Sequence, residues 1–292
     1  MRQAIDDRLR RLQRERVASQ LSDLQRQFAY DRLLCRIFRT QPNCWVLKGA
    51  TAMLARSGGL ARHSLDVDLY CTLPSLTDAE HALNDCAGVD LGDYFRFALR
   101  PGRQMPQAPN ACRVATQAYL GATTFAAFNV DLVTGIDLRG TPDEVAPLIP
   151  IDLPGLVRAN YFVWPITDHI ADKLCAMIEL HPRQGGHAMP STRYRDLADL
   201  AVFAHSADVD AEQLRRALAA EASRRQVQLP DAVPEPDGPR WRPGYARVAR
   251  EAPNLVEKDL EAALRTVRGF LDPILSTEAA GSWEHDVLRW SG

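Results

Sequence analysis

Lysine is almost absent from this chain. Of 35 basic residues, all but Lys48, Lys173 and Lys258 are arginine. A coding bias toward Arg and Ala, as in a GC-rich genome, is the simplest cause. Where lysine has nearly vanished, each survivor needs a reason, because a compact ammonium can pair with a phosphate oxygen in a way arginine does not freely replace. Cysteine pairing is missing as well. The six cysteines form no CxxC pair, which argues against a zinc knuckle or a disulfide scaffold and for reduced thiols in a cytosol. No run of 18 apolar residues occurs, so no membrane span is expected. Residues 1–16 (MRQAIDDRLRRLQRER) are charged throughout and are not expected to be a signal peptide. A strong net charge is lacking too: the formal value of −2 says little about nucleic acid.

What is present is a globular composition, 46% hydrophobic and 25% charged over 292 residues, enough for one large domain or two ordinary ones. The informative stretch is 45–71, WVLKGATAMLARSGGLARHSLDVDLYC. An apolar run ends in Lys48-Gly49, a short helical pattern follows, and a polar turn leads to Asp66-Val67-Asp68-Leu69-Tyr70. The alternation puts Asp66 and Asp68 on one face of a strand and Val67 and Leu69 on the other. Their Cα atoms are then roughly 6.6 Å apart. Like charges that close are unfavourable unless a cation lies between them. Hard oxygen ligands with room for substrate phosphate suit Mg²⁺. Gly49 permits a close backbone approach, and the helix after it offers free N–H groups to an anion. Phosphate at Gly49 and metal at the aspartate pair together read as a nucleotide site.

In chain order, residues 4–38 read as one helix with a strongly basic first half. That half is either a solvated face or a phosphate-backbone contact. Strands are expected at 45–48, 67–71, 94–99, 113–120 and 125–133, and helices at 50–56 and 76–87, the latter capped by Ser75 or Thr77. Residues 101–109 read as a loop. In FNVDLV, Asn129 and Asp131 share the face opposite Phe128, Val130 and Leu132. Asp131 either faces water or is a third metal or base carboxylate beside Asp66 and Asp68, and the second reading is carried forward. Residues 135–154 look loop-like. The pattern at 166–180 is a clear amphipathic helix. Lys173 borders its apolar stripe and there either snorkels to water or meets an anionic partner. Residues 181–192 read as a linker whose His181 and His187 fit no metal pattern.

A further helix covers 193–204. Asp196 borders its inward stripe, and the bland reading is a surface ion-pair cluster with Arg193 and Arg195. Helices at 209–225 and 255–275 follow. Residues 229–244 carry five prolines and read as an irregular crossing. Trp241 there either stacks on a base or pins the loop to the body. The class expected is α+β: a mixed strand-and-helix domain over 1–155, then a mostly helical domain over 156–292.

Four motifs, LKGA at 47–50, RHSLDVDL at 62–69, IADKLCAM at 170–177 and RYRDLADL at 193–200, stand in series. With them the chain resembles the AbiEii/AbiGii-type nucleotidyltransferase toxins and, within them, the MenT-type toxins of mycobacteria, a branch of the polymerase-β-like nucleotidyltransferases. The resemblance spans residues 45–205 and implies a polymerase-β-like N-terminal domain with a small mixed sheet. It implies that Lys48 and Gly49 hold nucleotide phosphates and that Asp66 and Asp68 bind Mg²⁺. It further implies that Lys173 contacts the triphosphate, and that Asp196 orients Lys173 or acts as base. Asp131 resembles the third carboxylate of such sites, on a looser local match. Ala50 stands where the family commonly has a second glycine, a difference that bears on nucleotide preference.

The activity implied is Mg²⁺-dependent transfer of a nucleoside monophosphate from an NTP to the 3′ end of tRNA, which blocks aminoacylation and translation. In-line attack on the α-phosphorus expels pyrophosphate, its charge met by metal, Lys173 and Lys48. The expected partners are an NTP, a tRNA acceptor stem and a cognate antitoxin, for a monomer in the cytoplasm. Ser64, two residues before Asp66, is placed with the nucleotide-binding residues. Phosphorylating it would put roughly two negative charges beside the metal carboxylates and shut the enzyme off; the other reading is a turn serine bonding its own backbone. Two alternatives remain open: a protein or small-molecule acceptor, and a non-catalytic module that binds nucleotide or RNA.

Overall fold

Alternating polar and apolar residues along two neighbouring segments set up the central sheet, because the apolar face of each packs inward while the other face stays open. The computed structural model describes residues 1–15, 20–57, 61–105, 108–136, 138–179, 193–236, 239–252 and 254–292. The chain divides into two compact units. One holds residues 1–58, 63–137 and 142–164, and the other residues 59–62, 138–141 and 165–292. The expected α+β class holds.

The first unit begins with α1 (Arg2–Glu15) and α2 (Leu21–Thr40), then β1 (Trp45–Lys48), α3 (Gly49–Ser57), β2 (Asp66–Cys71) and α4 (Leu76–Ala87). β3 (Phe95–Leu99), β4 (Arg103–Met105), β5 (Ala108–Leu120), β6 (Thr123–Val133), β7 (Asp143–Val145) and β8 (Tyr161–Val163) complete it. Eight strands form one mixed sheet in the order β3-β5-β6-β2-β1-β8-β7, with β4 also on β5. β2 runs parallel to β6 and antiparallel to β1. Val67, Leu69, Val130 and Leu132 are fully buried on the inner face. Phe28 of α2 lies edge-on to Phe95 and Phe125, and Tyr30 edge-on to Phe128 at 4.7 Å. α2 therefore covers the inner face and leaves the other free for the site.

α2 is more than an apolar stripe. Arg32, Arg36 and Asp93 are buried together, with both guanidinium groups bonded to the one carboxylate. Asp31, also buried, accepts from the backbone N–H of Leu148 and Ile149 and from the Tyr161 hydroxyl. These bonds fasten the segment after β7 to α2.

The second unit contains α5 (Ile166–Ile178), α6 (Tyr194–Ser206), β9 (Val209–Asp210), α7 (Ala211–Arg225), α8 (Trp241–Glu251), α9 (Leu260–Leu275), β10 (Ser282–Glu284) and β11 (Arg289–Ser291). Its helices pack around buried Leu174, Leu200, Phe203, Leu214, Val267 and Phe270. Asp210 and Asp259 cap α7 and α9 through their side chains, which satisfies N-terminal N–H groups that have no partner in the helix. A three-stranded sheet, β11-β10-β9, closes the unit, with Trp283 buried against Phe270 at 4.8 Å. Among the described residues no helix is long and apolar enough to cross a membrane.

Several expectations are corrected. The single helix over 4–38 is two helices, and residues 16–19 lie outside the described residues. The loop at 101–109 holds β4 and the start of β5, and the loop at 135–154 contains β7. The proline-rich crossing ends earlier than expected: Trp241 opens α8 and Pro243 sits in its first turn, where a missing N–H leaves no helix bond unmade. Trp241 is 3% exposed and lies edge-on to Tyr194 at 5.2 Å, so it pins the chain and offers no face to a base. The linker at 181–192, with His181 and His187, lies outside the described residues.

Candidate functional site

Strand register assembles the first cluster. Lys48 at the end of β1 is paired across to Asp68 on β2, Asp68 to Asp131 on β6, and Asp131 to Arg113 on β5. Directly opposed residues in a sheet project to the same face. One rung thus reads Lys48–Asp68–Asp131–Arg113, with charge plus, minus, minus, plus. Asp66 lies two residues before Asp68 and is opposed to Asn129, whose side-chain amide donates to Asp66 Oδ1 at 3.0 Å.

The start of α3 fits the rung closely. Gly49 has φ +62°, a conformation that favours glycine, and a Cβ placed on it would stand 2.0 Å from Asp68 Oδ2. The close approach expected of Gly49 is therefore to the carboxylate of Asp68. Ala50, which follows, is buried. The Lys48 ammonium lies 4.6 Å from the centroid of the Trp164 ring. Thr51 and Ser64 both donate to the backbone carbonyl of Asp66, at 2.8 and 2.7 Å, and fix the entry of β2.

Ser64 is thus a turn serine bonded to its own chain. It is 6% exposed, so little of it is open to a modifying enzyme. Asp131 acquires a partner that the sequence did not disclose. Arg113 Nε and Nη2 each lie 2.7 Å from one of its oxygens, and Nη2 is also 3.4 Å from Asp66 Oδ2. Its hydrogen bond to Asp131 and the nearby carboxylates raise the Arg113 pKa further above its ordinary value.

The second cluster lies within the helical unit. Lys173 on α5 is 8% exposed, and its Nζ stands 2.9 Å from Asp196 Oδ1 and 2.8 Å from Asp199 Oδ2. Arg193 reaches the other oxygen of Asp196 at 3.3 Å, and Arg62 lies 3.5 Å from Asp199. Lys173 does not snorkel, and Asp196, 6% exposed, is not part of a surface ion-pair cluster. Burial alone would lower the Lys173 pKa, but Asp199 and Asp196 outweigh it and hold the amine charged well above its usual range. Burial likewise opposes ionisation of Asp199, yet Lys173 and Arg62 draw its pKa below the carboxylate value. Asp199 was missed by sequence reasoning. The signal was available: it follows Asp196 by three residues, which places both on one helix face.

The fold is similar to that of MenT4, a nucleotidyltransferase toxin from Mycobacterium tuberculosis, with a TM-score of 0.50 and 18% identity over 88% of this chain and 94% of that one. The two chains thus share an overall fold. No curated protein sequence matches the chain. Residues 32–285 match the family described as nucleotidyl transferase AbiEii toxin, type IV toxin–antitoxin system. That span is most of the chain, which therefore belongs to this family of toxin nucleotidyltransferases. Membership brings with it an NTP as substrate and an antitoxin as partner.

Nucleotidyltransferases of this kind generally use a divalent metal. The donor set can be compared with that need. Asp66 and Asp68 offer hard oxygens from one strand face, which suits a cation that takes one or two carboxylates and completes its shell with substrate phosphate and water. Asp131 is opposed to Asp68 but has both oxygens engaged by Arg113. Among the described residues no three His, Cys, Asp or Glu converge as a metal-holding group. The pair fits a cation shared with substrate, and not a cage closed by protein alone.

Proposed function

We propose that this toxin transfers the nucleoside monophosphate of an NTP to the 3′ end of tRNA, and so blocks aminoacylation and stops translation. The observation that supports this most is the rung on which Lys48, Asp68 and Asp131 stand in register beside Asp66, in a chain of the AbiEii family. Mg²⁺ held by Asp66 and Asp68 would neutralise triphosphate charge and favour ionisation of the attacking hydroxyl.

The remaining roles fall to the chain itself. Lys48 and the N-terminal N–H groups of α3 hold phosphate oxygens, with Gly49 keeping side-chain bulk away. Lys173 contacts the triphosphate. A lysine held charged by two carboxylates is a fixed cation and not a proton acceptor, so it steadies the negative charge of the departing pyrophosphate. Asp196 orients it. In this reading the sheet unit is the nucleotidyltransferase domain, and Lys173 and Asp196 belong to the helical unit. The protein acts in the cytoplasm as a monomer until an antitoxin counters it.

The test is to incubate the protein with each labelled NTP, Mg²⁺ and total tRNA. Label should move to tRNA from at least one nucleotide, and Asp66→Ala should abolish the transfer. No transfer from any of the four, or full transfer by Asp66→Ala, would reject the reading.

A further inference from the structure

Arg113 is the one member of the rung with no role so far. Its guanidinium grips Asp131 through two nitrogens at 2.7 Å and reaches within 3.4 Å of Asp66. A cation belonging to the protein therefore touches two of the three carboxylates at once. The forked pairing is the strong form of this interaction. A second cation drawn to Asp131 would compete with that pairing for the charge of the carboxylate.

Arg113 is also placed to leave. Its side chain keeps 44% of its exposure, so it has solvent to move into. On its other side the register opposes it to Arg103 of β4, an exposed like charge. Like charges directly across a strand pair are unfavourable, so the carboxylates are the reason Arg113 lies where it does. A triphosphate offers that guanidinium an equivalent partner, since arginine binds phosphate in the same forked way.

We propose that Arg113 is a resident counter-ion of the acidic rung, which neutralises Asp131 and Asp66 before a divalent cation binds, gives way when it arrives, and thereby sets the cation affinity of the site. The inference rests on the proposed function only in taking Asp66 and Asp68 as the cation's ligands. Its consequence is that the cation loads poorly alone and well together with the triphosphate.

The experiment titrates the full-length chain with Mn²⁺ alone and counts free Mn²⁺ by electron paramagnetic resonance. Removing a unit charge about 5 Å from a divalent ion should tighten binding roughly tenfold even at the dielectric of water, so Arg113→Gln should bind Mn²⁺ about tenfold more tightly than the wild type. Arg113→Lys keeps the charge without the fork and should fall between the two. With ATP present the difference between wild type and Arg113→Gln should shrink. The Lys variant also separates loss of charge from loss of folding, because it retains the charge. Arg113→Gln binding no more tightly than the wild type would overturn the inference, and unimpaired nucleotide transfer by the wild type would show that the proposed function survives. If neither protein bound Mn²⁺ and Asp66→Asn transferred nucleotide normally, the acidic rung would be no cation site and both would fall.

Discussion

The carboxylate of Asp68 lies directly over the α-carbon of Gly49, where a Cβ would stand 2.0 Å from Oδ2. The first residue of α3 and the second aspartate of β2 therefore constrain each other. Gly49→Ala meets two penalties, about 1–2 kcal/mol for a side chain at positive φ and the displacement of Asp68. The expected outcome is a thermal midpoint lowered by several degrees with nucleotide transfer reduced at least about a hundredfold, the size of effect that misplacing a reacting group produces. Steady-state kinetics beside a melting curve checks both parts.

Lys173 stands between Asp196 and Asp199, each within 3 Å. Lys173→Met leaves two carboxylates buried without their shared cation, and breaking a buried pair costs about 3–5 kcal/mol. Urea unfolding should show a loss of that size. The Asp199 carboxyl has a depressed pKa in the folded protein, so its contribution is present above the unfolded carboxylate value and is lost as pH falls through the folded one. Asp199→Asn should flatten the acid limb of the stability curve.

Asp93 is fully buried with Arg32 and Arg36 bonded to it. Asp93→Ala strands two guanidinium groups inside the first unit. The expected cost is again about 3–5 kcal/mol, larger than for an exposed pair by several-fold. Equilibrium denaturation measures it directly, and a loss under about 1 kcal/mol would mean that the arginines find other partners.

Burial lifts the Asp31 carboxyl to about 7, although the Tyr161 hydroxyl and two backbone N–H groups pull the other way. A folded pKa above the unfolded one makes the folded state bind the proton more tightly. That contribution is complete below the unfolded value of about 4 and is lost as pH rises toward about 7, after which it is flat. The urea midpoint should therefore drift down between about pH 5 and pH 7. Asp31→Asn should remove most of that drift.

How far the sequence disclosed the molecule depends on the range of the signal. Asp66, Val67, Asp68 and Leu69 announce a two-faced strand within four residues, and Lys48-Gly49 marks the end of a strand and the start of a helix. Arg113 stayed hidden because a lone arginine in a strand reads as solvated. Only the register of β5 on β6, and of β6 on β2, brings it to Asp131 and Asp66. Arg32 and Arg36 were hidden for a related reason. On a helix they look like surface charge, and their partner Asp93 lies more than fifty residues away. The strands of the C-terminal hairpin, three residues each, are too short for alternation to be read.

Sequencing tRNA 3′ ends from cells that produce the wild-type protein, and from cells that produce Asp66→Asn, is the most direct measurement. Extra untemplated nucleotides after the terminal CCA in the wild-type sample alone are the predicted result. Unextended tRNA in growth-arrested wild-type cells, or equal extension with Asp66→Asn, would contradict the account.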